Sequence, residues 1–337
     1  MKKLFLFIFI AVWSIPSINA AIWRVNNMPD INADFTTIID AIDAASDGDI
    51  IYIEGTGLAY AGDAITLTKP LTFYGSGYYL LENENTQANH YPVELGMSFD
   101  IDPGAEGSAF YGIKFQNYHV YVATHDITFE RCYFYTEIRL HASEQAVSNF
   151  MMKQCVLDGD LWMWTMNFNS SNITFLNNII YQGLSLNSDM ANYIVKNNIF
   201  IGYYSTLTAK NASIQNNIVD GGIPCDASDN NLVENNIIGT GEMPGTGTNN
   251  TGGIDFTEVF IDYPDGANTS PDAMYELKPG SIAQGYGIGG IDCGIFDGDF
   301  PYVLSGLPPV PRFYEAHISS AGTSDGLHIT FKAQSQH

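Results

Sequence analysis

A short motif of two asparagines followed by two apolar residues recurs through the middle of the chain, and its period limits the fold more than any other feature. The clearest copies occupy residues 173–180, 193–200, 212–219 and 231–238. Residues 127–134 and 150–157 repeat the pattern with Cys in place of the second Asn, and 108–115 is a looser copy. One apolar column, Phe110, Phe129, Met152, Phe175, Val195, Ile214 and Val233, advances by 19, 23, 23, 20, 19 and 19 residues. A period near twenty, made of short β-rich runs and polar corners, describes a solenoid in which each coil rests on its neighbours. Leucine-rich repeats share this period but need their own Leu and Asn pattern, which is missing.

The expected class is therefore all-β, a right-handed parallel β-helix with a short N-terminal capping helix and a hairpin-like C-terminal tail. Strands of successive coils would pair in parallel, with alternate residues pointing inward onto like residues. Asn178, Asn198, Asn217 and Asn236 would then stack as an internal ladder, their amides satisfying each other and the backbone of the turn. Cys132 and Cys155 fall in the same column in adjacent coils. Stacked parallel side chains reach a disulfide torsion only with strain, so both are expected as buried free thiols.

The ends of the chain differ from its middle. Lys2 and Lys3, an apolar run from Leu4 to Trp13 and the small residues before Ala20 make residues 1–20 a secretory signal. The run is too short to remain as a membrane span, no later run is long enough, and no Cys follows the cleavage site to carry a lipid. Asp34 is the expected N-cap of a helix over 35–45. Residues 21–300 are assigned to the capped β-helix. Residues 301–337 are read as a proline-rich linker and tail, with 307–311 extended and two strands at 313–318 and 327–333.

Residues 35–53, a helical stretch turning through Asp47-Gly48-Asp49 into Ile50-Ile51-Tyr52-Ile53, resemble the N-terminal cap of pectate-lyase-like β-helix proteins. Residues 275–296 resemble the last coil of many bacterial β-helices, and the tail looks like those of exported β-helix proteins of Bacteroidota. The resemblance covers nearly the whole exported chain. It implies a cell-surface or extracellular protein, periplasmic at the least, and polysaccharide chemistry as one activity of the fold.

The charge restricts that activity. The chain carries 13 basic and 37 acidic residues, a net charge of −24, and loses Lys2 and Lys3 on export. Nucleic acid and anionic lipid both need Lys and Arg, so neither is an expected partner. A bare polyuronate fits only if Ca²⁺ bridges it to the protein. The lyases that the resemblance implies use a Lys and, one coil later, an Arg-His pair. Lys210 lies near such a place, but the next coil offers Cys225-Asp-Ala-Ser-Asp229 without an Arg. The related glycosidases use adjacent Asp pairs, and this chain has none. No metal site is assigned. Asp100-Ile-Asp102 and Asp297-Gly-Asp299 are the acids that could hold Ca²⁺, though neither completes a calcium loop.

One surface stands out when the coils are aligned. With Val120 and Val122, Ile138 and Leu140, and Leu161 and Met163 pointing inward, adjacent coils present His119 and Tyr121, then Glu137, Arg139 and His141, then Asp160, Trp162 and Trp164. Tyr203 follows, among small residues such as Gly183, Ser185, Ser205 and Gly222. His119, Tyr121, Trp162, Trp164 and Tyr203 suit a sugar, because flat aromatics stack on pyranose rings. Glu137, Arg139, His141 and Asp160 are the candidate catalytic groups, with Glu137 and Asp160 as a carboxylate pair. The same residues also fit a protein contact or a surface covered by a loop or the tail. The expectation is a non-catalytic exported subunit that binds a protein or glycan, with a polysaccharide lyase or glycoside hydrolase as the alternative. The tail would pair either with its own β-helix or with another exported or outer-membrane protein.

Overall fold

The structure is a computed structural model. It describes residues 20–135, 137–140, 147–159, 170–186, 192–202, 205–318 and 327–335, and the backbone of Leu161 and Trp162. The chain forms a parallel β-solenoid of about eight turns. A ten-stranded sheet runs from Ile22–Val25 to Leu232–Glu234. An eight-stranded sheet runs from Glu94–Leu95 to Ile237–Ile238, and a five-stranded sheet from Ile65–Leu67 to Leu161–Trp162. Leu184–Leu186 pairs with Leu207–Ala209 in a further parallel pair. Phe73, Phe110 and Phe129 stack ring on ring at 4.8 Å steps, and Phe115 lies over Phe134 at the same distance. That spacing is the strand separation, as expected where identical positions of successive coils share one column.

The asparagine pair divides into two roles. The first member takes the left-handed conformation, with φ of 53° at Asn177, 55° at Asn197, 58° at Asn216 and 55° at Asn235. Asn tolerates this region better than most residues, and here it turns the chain from the ten-stranded to the eight-stranded sheet. The second member points inward and is fully buried. Asn198 Nδ2 donates to Asn217 Oδ1 at 3.0 Å and to the Phe175 and Lys196 carbonyls. Asn198 Oδ1 accepts from the backbone and side chain of Asn178, both at 2.9 Å. The ladder reaches one rung further than expected, to Asn250.

The two cysteines extend the ladder towards the N-terminus. Cys155 N donates to Asn178 Oδ1 at 2.9 Å, and Cys132 N points at Cys155 Sγ at 3.4 Å. Both are buried and unbridged. Burial pushes the Cys155 thiol well above its ordinary range. Native protein should therefore leave these two unmodified by iodoacetamide, and denatured, unreduced protein should take up label at both. Intact mass reads the difference, and a denatured chain lacking label at both would mean a disulfide.

Two local expectations are corrected. The helix is Ile38–Ala44, and its N-cap is Thr37, whose hydroxyl accepts from Asp40 N. Asp34 instead accepts from Arg24 N at 2.8 Å, pinning the first strand. Residues 275–296 are not a last coil, for they pair with no coil strand. The chain turns back after the last coil and runs down the outside of the eight-stranded sheet as a strap. Asn235 donates to Tyr286 O at 2.7 Å, and Asn177 to Ile295 O at 2.7 Å. Arg131 Nη1 donates to Leu307 O at 2.7 Å, and Arg312 Nε to Thr86 O at 2.7 Å. Residues 307–311 are thus the end of the strap, with Leu307 buried. The strap is required because, beyond the outward Glu94–Lys114 pair and Tyr133, the eight-stranded sheet is apolar on both faces. Val156, Ile179, Ile199, Ile218 and Ile237 point outward, and Phe256, Phe260, Met274, Tyr275 and Ile295 cover them.

Candidate functional site

The strap covers one side of the solenoid, and the candidate site lies on the outer face of the five-stranded sheet. Val120, Val122, Ile138 and Leu140 are buried as expected, which turns their neighbours outward. Register then sets Thr66, Asp100, Tyr121 and Arg139 in one outward column, with the Trp162 backbone paired to Arg139. His119 and Glu137 lie two residues before Tyr121 and Arg139, at the preceding outward position of their coils.

Arg139 organises this face. Its Nη2 donates to Glu137 Oε2 at 2.6 Å, and its Nη1 to the Tyr121 hydroxyl at 2.9 Å. The guanidinium carbon lies 5.3 Å from the Tyr121 ring centre. His119 Nδ1 stands 3.0 Å from the same Glu137 oxygen, within ion-pair distance but without hydrogen-bond geometry. The His119 and Tyr121 rings are 5.5 Å apart. Hydrogen bonds to Glu137 hold the Arg139 cation charged.

Asp100, read from sequence only as a calcium candidate, belongs to this site. It is the Tyr121 position one coil earlier, and the alternation in Phe99-Asp100-Ile101 is the signal that places it there. Its Oδ1 is buried without a hydrogen-bond partner. Burial raises the Asp100 carboxyl above the usual range, Asp102 raises it further, and His119 opposes both. Among the described residues no group of three or more His, Cys, Asp or Glu is placed to hold a metal ion. Asp297 accepts from Asp292 N and Gly298 N and so shapes a turn of the strap.

The structure therefore brings together His119, Tyr121, Glu137 and Arg139 and adds Asp100. For Trp162 it gives the backbone, in register with Arg139. His141, Asp160, Trp164 and Tyr203 lie outside the described residues, as do residues 1–19, where a secretory signal is expected. Lys210 follows the strand Leu207–Ala209, away from this cluster in sequence and in sheet. Among the described residues no helix is long and apolar enough to cross a membrane. No protein-family model matches the chain, and no curated protein matches its sequence.

Proposed function

We propose that the chain is a non-catalytic exported β-helix acting as a binding and assembly subunit at the bacterial surface, of the pectate-lyase-like kind found in Bacteroidota. The observation that carries this reading is the commitment of Arg139. A lyase needs a cation to neutralise a substrate carboxylate, whereas this guanidinium already bonds Glu137 and Tyr121. The result is a preorganised polar and aromatic surface, suited to a glycan or a protein. The leader and the acidic composition support export and solubility outside the cytoplasm. Extracted under native conditions, the protein should run in an assembly larger than one chain. It should release no new reducing ends from neutral or acidic polysaccharides, with or without Ca²⁺.

Asp100 favours a second reading, a glycoside hydrolase. Asp100, whose carboxyl burial raises, stands one coil from the Tyr121 that shares Arg139 with Glu137, and two carboxyls on one face are what glycoside hydrolysis uses. Should any polysaccharide be cleaved, Asp100→Asn, Glu137→Gln and Asp160→Asn should each lower the rate by about a hundredfold or more. Cleavage unaffected by all three would place the chemistry elsewhere. For a bound oligosaccharide without cleavage, Trp162→Ala should abolish the ligand-dependent change in fluorescence.

A further inference from the structure

Beyond the strap the chain forms an antiparallel hairpin, Arg312–Ile318 with Ile329–Gln334. Arg312 is buried and anchored on the carbonyl of Thr86, and Ala88 N donates to Phe313 O at 2.7 Å. Past these two attachments every residue of the second strand is exposed. The register pairs Phe313 with Ala333, Ala316 with Phe331 and Ile318 with Ile329, and a bulge at Tyr314 separates Phe313 from Glu315. Alternation then gathers Phe313, Ala316, Ile318, Ile329, Phe331 and Ala333 on one face. Glu315, His317, Thr330, Lys332 and Gln334 occupy the other, where Lys332 and Glu315 pair at 2.6 Å. Phe313, Ile318, Ile329 and Phe331 are 54–60% exposed. The Phe313 and Phe331 rings meet edge to face at 4.9 Å. A two-stranded ribbon is marginal in water by itself, and this one shows water a whole apolar face.

We propose that the hairpin is a self-association element whose apolar face packs against the same face of a second copy of this chain. The proposal rests on the assembly reading above and names the partner. Its first support is charge. The apolar face carries none, and the polar face is close to neutral, although the whole chain is at −24. Two acidic bodies repel, so they meet best through an uncharged element that projects beyond them. The second support is area. Two phenylalanines, two isoleucines and two alanines at this exposure offer about 450 Å² per copy, so two faces would bury about 900 Å², below the standard size of stable interfaces and suited to a weak, reversible dimer. Twofold packing of identical faces also closes the assembly at two and leaves no open face to propagate.

Sedimentation velocity of the exported chain over a range of concentrations and NaCl tests this. The expected result is a monomer–dimer equilibrium that tightens as salt rises, because salt screens the repulsion between bodies and leaves apolar contact intact. Phe331→Ser should weaken the dimer at least tenfold with no change in the melting curve of the β-helix, and Lys332→Ala on the polar face should leave it unchanged. A chain that stays monomeric at all salts, a dimer that survives Phe331→Ser, or equal weakening by Lys332→Ala would overturn the proposal. A monomeric chain that still enters a native complex through its hairpin would overturn the second-copy partner alone and leave the assembly reading standing.

Discussion

A chain ending at Asp255 should not accumulate as soluble, cooperatively folded protein. The residues removed cover the outward column Val156, Ile179, Ile199, Ile218 and Ile237, all nearly inaccessible in the intact chain. Each such side chain contributes about 2 kcal/mol when fully buried, so exposing the column costs about 10 kcal/mol. That is comparable with the whole stability of a typical domain, about 5–15 kcal/mol. It also opens a continuous apolar sheet face, which favours aggregation. The soluble fraction on expression and the thermal melt are the readouts. A soluble monomer with the melting curve of the intact chain would show the strap to be dispensable. A second truncation, after Phe313, should keep that curve, because the described residues beyond it contact little but each other. Cutting after Pro311 is a poorer test, since it also removes the buried anchor Arg312.

Asn198→Ala should lower stability by about 3–5 kcal/mol, read as a shift of the urea midpoint. The substitution leaves Asn178 N and Nδ2 without their shared acceptor and removes the side-chain donor from the Phe175 carbonyl, while Asn217 Oδ1 keeps the backbone N–H of residue 198 and the Lys196 carbonyl keeps Asn177 N. A buried polar group left unpaired costs about 1–3 kcal/mol, and the core around Asn198 gives water no route to them. Asn197→Ala, one residue earlier, should cost less, about 1–3 kcal/mol. It forces Ala into the left-handed region and breaks a buried bond to Gly294 O at 3.2 Å, longer than the ladder bonds. The order of the two effects is the test. If Asn197→Ala proves the more damaging, the ladder is not the principal constraint at this corner.

Much of this architecture is written locally. The period of the Asn-Asn motif specifies coils, and strict alternation in Val120–Val122 and Ile138–Leu140 specifies which residues face out. Aligning the coils was therefore enough to bring His119, Tyr121, Glu137 and Arg139 to one surface. The bonds among them were not legible in the same way. Coil alignment alone offers Arg139 an acid in its own coil and one in the next, and only side-chain geometry shows that it bonds Glu137 and Tyr121. Asp100 is legible in the sequence only as a calcium candidate, because its place beside Tyr121 depends on the coil register and its chemistry on burial and on His119 from the next coil.

The strap was invisible for a related reason. In Ile179-Ile180 or Ile218-Val219 both residues are apolar, the mark of a strand covered on both faces, but nothing nearby says what does the covering. The answer is an irregular segment more than seventy residues later, without periodicity, held by backbone carbonyls that any sequence possesses. The two asparagines of each repeat carry the same side chain, yet one turns the backbone outside and the other satisfies the core, a division set by φ alone.

The sequence by itself determined the solenoid, the inward ladder and the outward face, because each follows from a periodicity that stacking in parallel must respect. Tertiary structure decided the strap and the amphipathic hairpin, because these depend on contacts between segments that share no period, and it decided the pairing of Arg139, because side-chain geometry chooses among neighbours that the period only brings together. The hairpin makes the reason concrete. Counted along its strand, Phe313 alternates with Glu315 and His317 on a mixed face. Pairing with Ile329–Gln334 introduces the bulge at Tyr314, which moves Phe313 to the side of Ala316 and Ile318. One extra residue, placed by the partner strand, converts an ambiguous ribbon into a wholly apolar surface.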